Sequence, residues 1–162
     1  TFGPARQEAD FQTVDARPNP PILSASGLTP MGEAVKLSLD SLEARKKKYR
    51  DNGVDYYQPW LVLMSDGAPC GGSFQILDEQ VERVRQMVEA KKLAVFAIGV
   101  GDGADMAVLD RFSPKRPALK LQEFKFAQFF EWLSKSVSRV SQSTPGDVVT
   151  LNVEGIKGWA EV

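Results

Sequence analysis

At 162 residues, 43% of them hydrophobic, the chain can enclose a core without disulfide staples and reads as one globular domain. Its 20 basic and 21 acidic residues nearly cancel, so no overall field favours nucleic acid or an anionic membrane, and no apolar run is long enough to span a bilayer. Histidine is absent, which removes the commonest general base and transition-metal ligand and leaves carboxylates and hydroxyls for any site chemistry.

The first 25 residues are extended and proline-rich, with Phe11, Thr13 and Val14 suggesting a short strand. Pro18-Asn19-Pro20-Pro21 withholds backbone donors and reads as a connection. Thr29 is suited to cap a helix with Pro30 at its first position, and that helix should run to about Tyr49. Met31, Val35, Leu39, Leu42 and Tyr49 recur at helical spacing as its buried stripe. Arg45 through Lys48 then form its solvated end, where cations suit the helix dipole, and Asp51-Asn52-Gly53 stops it.

Trp60–Met64 is a continuous apolar run, the pattern of a strand covered on both faces. It ends at Ser65-Asp66-Gly67 and a loop carrying Pro69, Gly71 and Gly72. A second helix over about Leu77–Ala90 buries Leu77, Val81, Val84 and Val88, and its Glu79, Glu82, Arg83, Arg85 and Glu89 form a solvated face. Leu93–Val100 is the next buried strand, Met106–Phe112 a short helix and Ala118–Leu121 a short strand. The last helix, about Phe126–Val140, turns Phe126, Phe129, Phe130, Leu133, Val137 and Val140 inward. This alternation predicts right-handed crossovers and a parallel sheet. Residues 144–162 form a tail with a further strand at Val148–Val153, followed by Gly155, Gly158 and Trp159.

In an open parallel sheet, ligands bind beyond the carboxyl ends of the strands. Asp66 lies at one such end and Gly99-Val100-Gly101-Asp102-Gly103 at another, with Thr29 at a helix start expected to face the same edge. In isolation Thr29 is simply a cap and Asp66 a turn residue. Together their oxygens suit a hard divalent cation such as Mg²⁺ or Mn²⁺. Gly99-x-Gly101-x-x-Ala104 formally fits a relaxed dinucleotide fingerprint, and Glu123 stands near the distance of a ribose acid. Asp102 and Asp105, however, place negative charge where a pyrophosphate would rest. Ser65 lacks both a nucleophile elbow and a histidine, so no catalytic residue is assigned. Cys70, the lone cysteine, excludes an internal disulfide, fits a reducing compartment and reads as a plain loop thiol.

The order of Ser26-Gly27-Leu28-Thr29-Pro30-Met31-Gly32, Ser65-Asp66-Gly67-Ala68-Pro69 and Phe96-Ala97-Ile98-Gly99-Val100-Gly101 resembles the second and third metal-site motifs and a following strand end of the von Willebrand factor A (vWA) family. Phe126–Ser141 looks like the closing helix of a bacterial subgroup associated with tellurium resistance and stress response. The resemblance spans residues 1–143 and implies a Rossmann-like, doubly wound α/β fold, mainly parallel with helices on both faces. It implies a cytoplasmic, non-enzymatic module that binds another protein through a metal-ion-dependent adhesion site at the sheet's upper edge. Thr29 and Asp66 match metal-site positions, and Ser26, Gly27, Leu28, Gly67 and Asp102 fall where partners dock. The partner, which in that subgroup is often associated with phosphorylation signalling, would add a carboxylate to the metal.

The family's Asp-x-Ser-x-Ser motif has no counterpart here. Ser24-Ala25-Ser26 carries the two serines, but Ile22 stands in the aspartate's place. Thr1-Phe2-Gly3 resembles the end of the family's second strand, so the resemblance implies that the first strand, first helix and most of the second strand are missing from this segment. Without that first strand, Trp60–Met64 becomes an apolar edge. The expected cover is a preceding segment, the Val148–Val153 tail, or a second copy pairing along the edge.

Overall fold

A computed structural model describes residues 1–13, 20–123, 125–145 and 155–161. The expectations for Val14, for Pro18-Asn19 and for a strand at Val148–Val153 lie outside the described residues. The elements are α1 (Met31–Asp51), β1 (Trp60–Ser65), α2 (Phe74–Glu89), β2 (Ala94–Val100), α3 (Met106–Arg111), β3 (Leu119–Leu121), α4 (Phe126–Ser141) and β4 (Ala160–Glu161). The chain divides into two compact units, one of Thr1–Val54 with Pro69–Gln80 and one of Asp55–Ala68 with Val81–Val162. Among the described residues no helix is long and apolar enough to cross a membrane.

The first unit is organised by α1. Met31, Ala34, Val35 and Leu39 are buried along one stripe, while Leu42 and Tyr49 are half-buried. Gly32 admits the start of α2 so closely that a Cβ there would lie 2.6 Å from the Leu77 nitrogen. The expected end at Asp51-Asn52-Gly53 is found, with Asn52 as C-cap and Gly53 at φ 64°. The basic run before it is not uniformly solvated. Lys46 is buried and its ammonium lies 2.7 Å from Glu43, which keeps the charge paired. Arg45 lies over the rings of Phe11 and Tyr49 and donates to the Phe11 carbonyl at 2.8 Å. That carbonyl therefore serves a guanidinium rather than a ladder, and Phe11–Thr13 is not a strand.

The second unit holds the sheet, in the order β1-β2-β3-β4. β1 runs parallel to β2 from Trp60 opposite Ala94 to Ser65 opposite Gly99, and β2 runs parallel to β3. β4 pairs antiparallel with β3, Ala160 opposite Leu121. This is an α/β architecture with a mainly parallel, four-stranded sheet, compatible with a Rossmann-like fold. The described end of the tail thus adds its strand beside β3. β1 pairs on one side only among the described residues, and its Trp60, Leu61, Val62 and Met64 remain partly exposed. The two-sided cover expected for both runs holds for β2, every residue of which is buried, but not for β1.

Alternation along β2 explains the layers. Ala94, Phe96, Ile98 and Val100 face a cluster with Leu119, Leu121, Phe129, Trp132, Trp159 and Ala160. Four of those side chains are aromatic and pack edge-on or tilted, as with Phe129 and Trp159 at 5.0 Å between centroids. Gly99 opens the opposite face to α3, since a Cβ there would lie 2.3 Å from the Met106 sulfur. On α4, Phe129, Trp132 and Ser136 are buried, whereas Phe130 and Val137 are about half-exposed, contrary to the inward set expected. The helix is rotated so that Trp132, the largest side chain available, enters the core, and Phe130 and Val137 rotate out with it.

Candidate metal and partner-binding residues

Thr29 and its neighbours belong to the first unit. Helix α1 begins at Met31 with Pro30 as N-cap, and no side chain caps it. The cap expected of Thr29 is therefore not formed, because its backbone is committed elsewhere. Its carbonyl accepts from the Met31 and Cys70 amides at 2.8 and 3.0 Å, and its own N–H donates to the Cys70 sulfur at 3.4 Å. The half-buried Thr29 hydroxyl makes no hydrogen bond among the described residues. Glu33, one turn into α1, accepts the Ser73 amide at 2.8 Å through one oxygen, while its other oxygen is buried without a partner among the described residues. Gly72 allows that approach, since a Cβ would lie 2.4 Å from the Glu33 carboxylate. Periodicity had no means of marking Glu33, which is an ordinary first-turn acid by sequence.

The expected docking residues of this unit divide by role. The Ser26 hydroxyl donates to the Gly3 carbonyl at 3.2 Å, and Gly27, at φ 75°, lies against the Gly3 backbone. Both therefore fix the loop. Leu28 is 60% exposed, an apolar side chain left on the surface beside Thr29.

Asp66, Gly67 and Asp102 belong to the second unit, beyond the carboxyl ends of β1 and β2. Ser65 is buried, and its hydroxyl donates to the Gly67 carbonyl at 3.1 Å and accepts the Gly67 amide at 3.4 Å. This bracket turns the chain and leaves Asp66 exposed, with no hydrogen bond or ion pair for its carboxylate among the described residues. Gly103 comes close enough that a Cβ would lie 2.9 Å from the Asp66 carbonyl. The two loops at this edge are thus in contact through backbone. Asp102 is fully exposed and ion-paired with Lys120 at 2.8 Å, whose hydrogen bond holds its carboxyl below the usual aspartate range. Asp105 caps α3 by accepting from the Val108 amide.

For the glycine turn, the structural reading is the stronger. Gly99 makes room for α3, and Gly101 takes φ 71°. The following helix is only six residues long, with the Asp105 side chain accepting its Val108 amide.

Hard cations take oxygen donors, and Thr29 and Asp66 are of the right kind, each with an oxygen not otherwise engaged. Among the described residues no group of three or more His, Cys, Asp or Glu could hold a metal ion. Searches against protein-family models, curated proteins and solved structures find no match to this chain.

Proposed function

We propose that the chain is a protein-binding module of vWA type that engages its partner at the carboxyl edge of its sheet. The observation that carries this reading is Asp66, an exposed and unengaged carboxylate at the end of a parallel strand, held out by the Ser65–Gly67 bracket. Thr29 supports it, because its hydroxyl is not spent on capping. In this reading Asp66 holds Mg²⁺ or Mn²⁺ at the sheet's edge, and the partner supplies a carboxylate that helps to complete the shell. Metal and partner affinity are then coupled, each raising the other by the same factor. The resemblance carries the setting, a cytoplasmic bacterial stress-response or tellurium-resistance system whose partner works in phosphorylation signalling.

Calorimetric titration with Mn²⁺, beside Asp66→Ala, tests it. Saturable heat that disappears in the variant supports the metal site. Equal heats in both proteins, or none in either, remove the metal from the reading and leave docking without an ion.

A further inference from the structure

A second site is built at the opposite edge of the sheet, where the connections entering β2 and β3 frame a cleft of about 270 Å³. Its floor is apolar, from Val88, Leu93, Ala94 and Val95, and its rim carries Lys91, Lys115 and Arg116. We propose that this cleft binds a phosphate monoester on a small apolar body.

The rim is cationic without internal compensation. Lys91, Lys115 and Arg116 make no ion pair among the described residues. The one carboxylate lining the cleft, Glu89, is already held by Arg85 at 2.7 Å. Three uncompensated cations favour a dianion over a carboxylate. Ser113 also lines the cleft, is 6% exposed, and its hydroxyl has no hydrogen-bond partner among the described residues. Among the described residues that oxygen is not one of the fully buried polar atoms left without a partner, so it is open to solvent and can donate to a ligand oxygen.

Both connections are rigid. Lys92 donates to the Met87 carbonyl and Lys91 to that of Val88, the paired bonds that close a helix with its next residue left-handed. Lys91 occupies that left-handed position at φ 56°, where glycine is the less strained choice. Ser113 to Arg116 is a turn closed by the Arg116 amide on the Ser113 carbonyl, with Pro114 at its second position. Arg116, which lines the cleft, stacks 4.9 Å above the Phe96 ring, and this contact restrains its guanidinium. The volume lies below the usual range for drug-sized ligands, which favours one phosphate on a short body over a whole nucleotide.

The test is titration of the full chain with phenyl phosphate, followed by amide NMR shifts and repeated with inorganic phosphate, benzoate and a phosphotyrosyl peptide. Saturable shifts at Lys91, Ser113 and Lys115 are expected, weaker with inorganic phosphate and about tenfold weaker with benzoate. The peptide arm identifies the source: tighter binding than phenyl phosphate assigns the site to a protein phosphate, and weaker binding to a free metabolite. Lys91→Gly and Lys115→Glu should each weaken phenyl phosphate by about tenfold, whereas Lys135→Ala, of equal charge change to Lys91→Gly but on α4, should not. Lys91→Gly removes strain as well as charge, so loss of binding with undiminished thermal stability cannot come from misfolding. No saturable shift, benzoate bound equally well, or an equal loss in Lys135→Ala overturns the proposal.

Discussion

β1 and β2 are neighbouring parallel strands of similar apolar composition, yet β2 is buried at every position and β1 at two of six. Sequence pattern treats them alike; sheet order does not. β2 has strands on both sides and helices on both faces, whereas among the described residues β1 has a partner on one side only. An apolar run therefore reports what a strand can bury, and its neighbours decide how much it does.

The largest effect expected along this divide is at the core side of β2. Phe129→Ala removes a fully buried ring packed on Trp159 and should cost about 3–5 kcal/mol in urea unfolding. Phe130→Ala, on the next residue of α4 and 53% exposed, should cost well under half of that. Equal losses would mean that α4 is rotated from the orientation described.

The strands themselves can be compared directly. Ile98→Ala in β2 should cost about 2–5 kcal/mol, since Ile98 is 0% exposed. Val62→Ala in β1, half-buried, should cost about 1 kcal/mol. A Val62 loss as large as that at Ile98 would show that β1 is covered in solution, and sedimentation velocity would then identify a second copy as the cover. In that case Val62→Lys should shift the boundary toward monomer, because a lysine on an open edge discourages strand pairing.

The smallest effect concerns Asp102 and Lys120. The Lys120 hydrogen bond lowers the Asp102 carboxyl pKa in the folded chain. Such a group stabilises the fold above the unfolded aspartate pKa of about 3.9, and the contribution is lost as pH falls through the lower folded value. Both groups are solvent-screened, so the NMR titration midpoint of Asp102 is the sensitive readout. It should rise in Lys120→Ala or at high salt, while the urea midpoint at neutral pH hardly moves.

Element boundaries were legible because hydrophobic periodicity and stop signals agree locally. Met31–Asp51, Trp60–Ser65, Ala94–Val100 and Phe126–Ser141 each begin or end within two residues of the expected limits. Side-chain roles were less legible where the competing partner is distant in sequence. The basic run at Arg45–Lys48 looks uniform, but Phe11 recruits Arg45 and burial recruits Lys46. Thr29 has the residue type of a cap, yet Cys70 holds its backbone and the helix starts at Met31. On α4, Phe130 and Trp132 both suit a core, and no local rule ranks one orientation above the other.

The candidate site shows the same limit. Asp66 after an apolar strand is readable because a strand end followed by glycine is a local signal. That Asp102 is tied to Lys120 while Asp66 stays unengaged required the pairing of β2 with β3, which sets Lys120 opposite Gly99. The cationic cleft left no sequence signature, since Lys91 and Lys115 are separated by a strand and a helix.

By itself, then, the sequence determined the order and type of the elements from α1 to α4, because helical and strand periodicities are carried by neighbouring residues. Among the described residues, the tertiary structure alone decided which face of α4 turns inward and which charges remain uncompensated. Those properties depend on residues far apart in the chain, and burial and Coulomb interaction act through space rather than along the backbone.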